Sequence, residues 1–421
     1  MPLTPAPAGV LSFEQARHIV EEHAARLRPR GKELVELLEG AGQVLAEPVL
    51  ADRNFPPFPR ATRDGYAVRA ADLSTLPANL QIVGEIKAGA ADTSLSLEAG
   101  QAAAIMTGAP APAGADAVVM VEYSSRAGDR IEITKGVTAG ENIVTAGSEA
   151  KRGDRLLFPG MRLDHAAIAV AASVGKSRLL VYSKPRVSVL STGDELVDID
   201  VPPARHQIRN SNSYSLAAQI QAAGGEAILL PIAPDEPERL RELLVEGLDA
   251  DLLLIAGGVS MGKYDLVEQV LADLNAEFFF TGAQIQPGRP VVFGRVPWET
   301  GEEPAATQGF KYFFGLPGNP VSTMVTFELF ARPVQEALIG MKPQKLVWLH
   351  ARLKSEIKVK PGLKRFLPAV LSGEFEQAEV EVVHWQGSGD IAATARANCY
   401  AVIPADREHI AAGEWVPILR R

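Results

Sequence analysis

The sequence predicts a multidomain α/β protein: a doubly wound, largely parallel α/β domain with a small β-rich domain and a C-terminal β-barrel-like domain. Three observations carry this. From Arg186 onward, apolar strand-type runs alternate with amphipathic helix-type runs, the pattern of strands joined by right-handed helical crossovers. From Leu80 to Gly140, short apolar runs (LQIVGEI, AAAIM, AVVMVE, IEI) are separated by Gly, Pro and Asp, the spacing of a small all-β unit. From Lys345 to Arg421 helical periodicity is lost and strand runs return. A chain of 421 residues holds about three domains at roughly 150 residues each. The boundaries read 51–139 for the small β-rich domain, 184–340 for the α/β domain and 341–421 for the C-terminal β domain, with 1–50 and 140–183 linking them.

Composition narrows the function classes. The hydrophobic and charged fractions, 47% and 22%, are those of an ordinary globular protein. A net charge of −9 argues against a nucleic-acid groove or an anionic membrane surface, while leaving room for a local basic pocket. Cys399 is the single cysteine, so no intramolecular disulfide and no cysteine-based zinc site is expected. MPLTPAPAGVLS has no basic patch followed by an apolar core, and no apolar run approaches the ~20 residues of a membrane span, so a cytoplasmic location is expected.

In chain order, a proline-rich leader expected to be disordered gives way to a capping box, Ser12 with Gln15, which opens a helix carrying Ala16, Ile19, Val20, His23 and Leu27 at helical spacing. His23 lies on the apolar face and reads as packing. Asp52 to Arg69 is a proline-stiff loop that delivers Asp64-Gly65-Tyr66 into a short strand, with Asp64 either a turn residue or a presented carboxylate. MTGAPAPAGADAVVM places Thr107 and Gly108 at a strand end, where Thr is ordinarily β-branched filler. Gly140 to Ser183 brings glycine turns and the apolar helix HAAIAVAASVG.

In the α/β region RVSVLSTGDEL is a strand ending in a polar turn, and NSNSYSLAAQIQAAGG a helix with Asn212 as its expected cap. EAILLPI is a strand, and PDEPERLRELLVEGL a helix expected to be capped by Asp235. Leu252 to Ala256 is an unbroken apolar run, a strand covered on both faces, that stops at Gly257-Gly258. There the backbone can approach a ligand, with Ser260 and Gly262 adding a hydroxyl and another small residue. Asp265 and Glu268 read as a capping box for the following helix. EFFF, PVVFGRV and KYFFGL are strands; LPGNPVSTMVTFELF has Asn319 as N-cap and Pro320 at the first helical position.

Four turns should gather at one sheet edge: Thr192 to Glu195, Pro234 to Glu236, Ala256 to Gly262 and Leu316 to Pro320. Glu195, Asp235 and Asp265 lie in or beside them, hard oxygens suited to a Mg²⁺ that neutralises a phosphate held by backbone N–H groups. Each could instead be a cap or a solvated turn residue. With PGRP, Pro287 to Pro290, the functional reading prevails, because Arg289 can fork onto a phosphate or oxyanion.

STGDEL, AGGVSMGKYD, PGRP and FGLPGNPVS, in that order and spacing, resemble the molybdopterin-binding domain of molybdopterin molybdenumtransferases, the family that includes the gephyrin E domain. The resemblance extends through RDGYAVR, IMTGAPAPAGADAVVM, GENIVTAG and QGSGDIAATARANCYAVIP, nearly the whole chain. It implies insertion of molybdate into the dithiolene of adenylylated molybdopterin with release of AMP and with Mg²⁺ as cofactor. On this reading Asp64, Glu195, Asp235 and Asp265 are catalytic, and the last three hold the metal. Substrate binding falls to Thr107, Glu149, Thr192, Gly193, Gly257, Gly258, Ser260, Gly262, Pro287, Gly288, Arg289, Pro317, Gly318, Asn319 and Ser322.

The resemblance further implies a homodimer, with 1–50 and 140–183 serving dimerisation and Asp64 and Thr107 acting on the partner's pocket. It also implies a hand-over of substrate from a molybdopterin adenylyltransferase. Three departures stand out: Arg63 before Asp64 where the family has Met, Gly147-Ser148-Glu149 for GED, and Gln286 before PGRP where lysine precedes PGKP. A cofactor-binding scaffold without catalysis is the other reading of this architecture. A nucleotide-cleaving hydrolase would leave Asp52 to Gly140 without a purpose. Molybdate and tungstate are not distinguishable from sequence.

Overall fold

The computed structural model describes residues 9–89, 94–258, 266–298, 309–342 and 344–421. The chain divides into two compact units, one of Met1–Ala46, Pro159–Leu163 and Leu179–Arg421, the other of Glu47–Phe158 and Asp164–Arg178. No helix among the described residues is long and apolar enough to cross a membrane.

The smaller unit is built on a six-stranded sheet in the order Ala117–Met120, Gly65–Val68, Gln101–Ile105, Ala78–Ile86, Arg130–Ile133, Ser124–Ala127. Its short runs alternate sides. Tyr66, Val68, Ala102, Val119 and Ile131 pack in one buried cluster, while Ala67, Ala103, Ile105 and Val118 pack in another, as a side-chain period of two requires. Gly65 is paired on both sides, with Ile105 and Met120, and a Cβ there would sit 1.9 Å from the Val119 carbonyl oxygen. Part of the DGY signature is thus close strand approach. Thr107 corrects the filler reading: the strand ends at Ile105, and Thr107 stands exposed in the turn after it.

In the larger unit a six-stranded sheet runs Glu226–Leu229, Arg186–Ser191, Leu252–Ala256, Phe310–Leu316, Val292–Pro297, Glu277–Phe280. The first four strands are parallel and the last two antiparallel. The antiparallel part arises where no crossover helix separates successive strands, which lets the chain reverse directly. Successive residues of Leu252–Ala256 face opposite cores. Leu252, Leu254 and Ala256 pack with Leu216, Ile220, Val321 and Val325, whereas Leu253 and Ile255 pack with Leu240, Leu244, Val267 and Leu271. Burial on both faces explains the unbroken apolar run.

The helix Phe13–Ala24 has the expected Ser12–Gln15 capping box and buries Phe13, Val20 and His23. The His23 ring lies 3.9 Å from that of Phe279, and its Nδ1 is 3.1 Å from the Tyr312 hydroxyl. Burial, reinforced by Arg295 and Arg26, pushes its pKa down to about 4, so it is a neutral packing group at physiological pH.

Two expected caps are displaced. Asn210, not Asn212, caps Ser211–Ala222, its side chain accepting from Ser213 N–H; Glu236, not Asp235, is the N-cap of Pro237–Leu248 and makes no side-chain cap bond. In both stretches several polar residues precede the apolar periodicity, so sequence left the boundary open by one or two residues. Asn319 is the N-cap of Pro320–Thr326 with Pro320 in the first turn, as expected, though its side chain makes no cap bond. The leader up to Ala8 and Ser260, Gly262 and Asp265 lie outside the described residues, and the helix after Gly258 is described from Leu266 to Asp273.

The C-terminal region is a closed five-stranded barrel of Leu349–Leu353, Lys364–Ser372, Glu379–Val382, Cys399–Ile403 and Trp415–Arg420, each paired with two others. Cys399 lies inside with its thiol pushed up to about 11 by burial, which makes it inert packing. Ile285–Gln286 adds in parallel beside Lys364 and Arg365, anchoring the loop that carries Pro287 to Pro290 to the barrel.

Candidate active site

Three parallel strands end level at the carboxyl edge of the α/β sheet. Ser191, Ala256 and Leu316 are in register, and Thr192 N–H donates to Ala256 O while Gly257 N–H donates to Leu316 O. The chain therefore leaves the sheet at Thr192, Gly257 and Pro317 side by side. The helix after Arg186–Ser191 leads to a strand on one flank of it, and the next helix leads to Leu252–Ala256 on the other. This reversal of direction is the point at which open α/β sheets bind ligands.

Glycine makes the edge passable. Gly257 has φ +98°, and a Cβ there would lie 2.7 Å from the Thr192 carbonyl oxygen, so no other residue fits without moving backbone. Gly258 lies against the Thr192 side chain, whose buried Oγ1 has no hydrogen-bond partner among the described residues. Beneath the edge Asn210, Ser191 and Ser213 share a buried network of bonds between 2.9 and 3.2 Å. Asn212 donates from Nδ2 to Gly318 O at 2.7 Å, while its buried Oδ1 has no hydrogen-bond partner among the described residues.

A cavity of about 750 Å³ opens over this edge. It is lined by Thr192, Gly193, Glu195, Asp235, Gly257, Gly258, Pro317, Gly318 and Asn319, so the expected turns converge. Asp194 ties two of them together by accepting Asp235 N–H at 3.1 Å. Burial, then repulsion from Asp194 and Glu195, raises the Asp235 carboxyl above its ordinary range.

A second cavity of about 320 Å³ adjoins the first, sharing Pro290, Pro317 and Asn319, and contains Pro287, Gly288, Arg289 and the buried Ser322. Arg289 is exposed and forms no ion pair among the described residues, so pairing with the nearby carboxylates is not what holds it. Gln286 also lines this cavity.

Asp64, Thr107 and Glu149 belong to the smaller unit. Thr107 N–H donates to Asp64 Oδ1 at 2.6 Å, and Glu149 Oε1 accepts from Arg60 Nη2 at 2.9 Å in an exposed ion pair. No cluster of three or more His, Cys, Asp or Glu side chains among the described residues is close enough to hold a metal ion.

The chain matches three family models: the MoeA N-terminal region (domain I and II) over residues 11–175, a probable molybdopterin binding domain over 188–337, and the MoeA C-terminal region (domain IV) over 350–420. Among similar proteins is the molybdopterin molybdenumtransferase of Nostoc, 33% identical over 429 aligned positions that cover 100% of this chain and 95% of that one. The chain belongs to the molybdopterin molybdenumtransferase family. The Haemophilus influenzae member is 33% identical, with 97% and 98% of the two chains covered. The crystal structure of the molybdopterin biosynthesis moeA protein of Pyrococcus horikoshii, at 27% identity, superposes with a TM-score of 0.76 over 98% of this chain and 100% of that one.

For this family member, sequence reasoning missed one side of the pocket. Arg209, Asn210 and Ser211 line the larger cavity, as does Asn212, read only as a cap. Gly389 and Ile391 from the C-terminal region join them, and Gly387 and Ser388 line the smaller cavity. Asp390 accepts N–H groups of Ala393 and Gln386, and Ser388 O takes Val321 N–H at 3.0 Å, which fixes the QGSGD turn against the LPGNP helix. The glycine-rich turn was visible in the sequence; its long-range partner was not.

Proposed function

We propose that this chain inserts molybdate into the dithiolene of adenylylated molybdopterin and releases AMP, drawing its substrate from a molybdopterin adenylyltransferase. One observation carries the reading: an acidic, glycine-walled cavity of about 750 Å³ at the switch point of the sheet adjoins a second cavity holding Arg289, which forms no ion pair among the described residues. The larger is within the ~300–1,000 Å³ of small-molecule sites.

Glu195 and Asp235 suit Mg²⁺, which is commonly bound through one or two carboxylates and completed by substrate phosphates and water. Burial raises the Asp235 carboxyl most, and the repulsion from Asp194 and Glu195 that adds to it is what a divalent cation would relieve. Asp265, outside the described residues, is proposed as a third ligand on sequence alone. Bound there, Mg²⁺ would supply charge neutralisation at the phosphoanhydride.

The chain's own groups do the rest. Gly257 and Gly258 let phosphate oxygens approach the backbone, and Thr192 and Asn212 line the same wall. Arg289, assisted by Ser322, holds an oxyanion where its oxygens are exchanged for the two sulfurs. We propose a homodimer in which Asp64 and Thr107 act on the partner's cavity. The deciding experiment follows AMP release from adenylylated molybdopterin with and without molybdate; absence of AMP under both conditions sinks the reading.

A further inference from the structure

Arg209 is the cation of the larger cavity, and nothing in the signature motifs points to it. Among the described lining residues it is the single Arg, Lys or His, beside Glu195 and Asp235. It sits on a fixed backbone. Leu196–Val197 and Ile208–Arg209 form a short parallel pair, Ile208 N–H donates to Glu195 O at 2.8 Å, and Asn210 N–H donates to Val197 O at 2.9 Å. Asn210, the next residue, is buried in the Ser191–Ser213 network. Glu195 and Arg209 therefore stand on paired segments of one cavity wall. Yet the two form no ion pair, and Arg209 makes none with any other described residue.

A guanidinium left unpaired beside carboxylates, in a cavity, on a rigid mount, is arranged for a ligand anion. The neighbouring cavity already has Arg289, so two arginines occupy adjoining cavities that share Pro290, Pro317 and Asn319. Two separate cation sites match two anionic ligands, the phosphoanhydride of the adenylylated substrate and the incoming oxyanion. A planar fork holds a phosphate through two oxygens, which a carboxylate-coordinated metal does not replace.

We propose that Arg209 binds the nucleotide-side phosphate of the substrate and makes the larger cavity selective for an adenylylated ligand. This rests on the proposed molybdenum-insertion reading and assigns its nucleotide end. Arg289 then serves the incoming oxyanion, and each arginine has its own ligand group.

The test uses the full-length protein with AMP, adenosine and molybdate as separate titrants in calorimetry. Arg209→Gln should weaken AMP binding by about 10-fold or more, the loss of a charge-assisted fork, and leave adenosine and molybdate unchanged. Arg209→Lys should fall between wild type and Arg209→Gln, since it keeps the charge and loses the fork. An exposed side chain leaves melting unchanged, so all variants can be compared as folded proteins. Equal AMP affinity in wild type and Arg209→Gln overturns the assignment alone. Weakened molybdate with unchanged AMP overturns it too, placing Arg209 on the oxyanion. A wild type that binds neither AMP nor adenosine overturns both this assignment and the adenylylated-substrate reading beneath it.

Discussion

The backbone N–H of Thr107 donates to the Asp64 carboxylate at 2.6 Å, joining two signature segments, RDGYA and MTGAP, that are 43 residues apart in the chain. The N–H, then the Thr107 hydroxyl, hold the Asp64 carboxyl below its ordinary range although it is fully exposed. A depressed pKa contributes stability above the unfolded carboxyl value and loses it as pH falls through the folded one. Thr107→Val deletes the hydroxyl and keeps the N–H. The Asp64 pKa, followed by carbon-detected NMR titration, should rise part of the way and remain below an ordinary aspartate; a full return would remove the main-chain bond from the account.

Asp235 shifts the opposite way. Its raised pKa means that its contribution to stability is present below the unfolded value and lost as pH rises through the folded one. Asp235→Asn should therefore melt no lower than wild type, and slightly higher at neutral pH without Mg²⁺, while losing the Mg²⁺-induced rise in melting temperature. Asp194→Asn should lower the Asp235 pKa by removing a repelling neighbour. A Mg²⁺-dependent rise preserved in Asp235→Asn would take this carboxylate out of the proposed metal site.

Much of this was legible, and the pattern of what was not is physical. The strand Leu252–Ala256 declared itself because burial on two faces leaves no polar position, and Ser12–Gln15 because a capping box is local. The convergence of Thr192, Gly257 and Pro317 followed from parallel strands, which must end at one edge. The cavity position of Arg209 and the long-range partner of the Ser388 turn were not legible because both depend on tertiary pairing, and an exposed arginine after a loop looks the same wherever it folds. Asn212 was misread because Asn210 and Asn212 are both good caps, and only the backbone decides between them. Gly65 shows the converse: a residue inside a signature motif has a full packing explanation.

Two glycines at the sheet edge should respond differently to alanine. At Gly257, with φ +98° and Thr192 O 2.7 Å from a built Cβ, the cost should be about 1–3 kcal/mol of strain together with loss of AMP binding. At Gly318 the nearest atom is Gly257 Cα at 3.6 Å, an ordinary contact, so Gly318→Ala should stay within about 0.5 kcal/mol. Equal melting of the two variants would mean that the edge can relax.

Arg289→Lys tests the oxyanion assignment in the smaller cavity. A point charge remains but the fork is lost, so half-maximal AMP release should need several-fold more molybdate, with melting unchanged because no described carboxylate is left behind. Unchanged half-saturation by both molybdate and the adenylylated substrate would take Arg289 out of the site.

The proposed composite dimer makes a demand that no single-chain site makes. Asp64 lies in the smaller unit and Asp235 in the larger, so if each cavity is completed by the partner, a variant of one and a variant of the other fail in complementary halves. Asp64→Asn keeps the shape of the Thr107 contact and removes only charge, and Asp235→Asn keeps the shape of its turn, so both should fold. Each homodimer should be inactive. In a mixed dimer one cavity pairs Asp64→Asn with Asp235→Asn and is doubly impaired, while the other combines wild-type Asp64 from one subunit with wild-type Asp235 from the other. Differently tagged subunits, co-expressed and purified as mixed dimers, should recover about half of wild-type AMP release, because one of the two cavities is intact. Mixed dimers as inactive as either parent would show that each chain supplies both carboxylates to its own site.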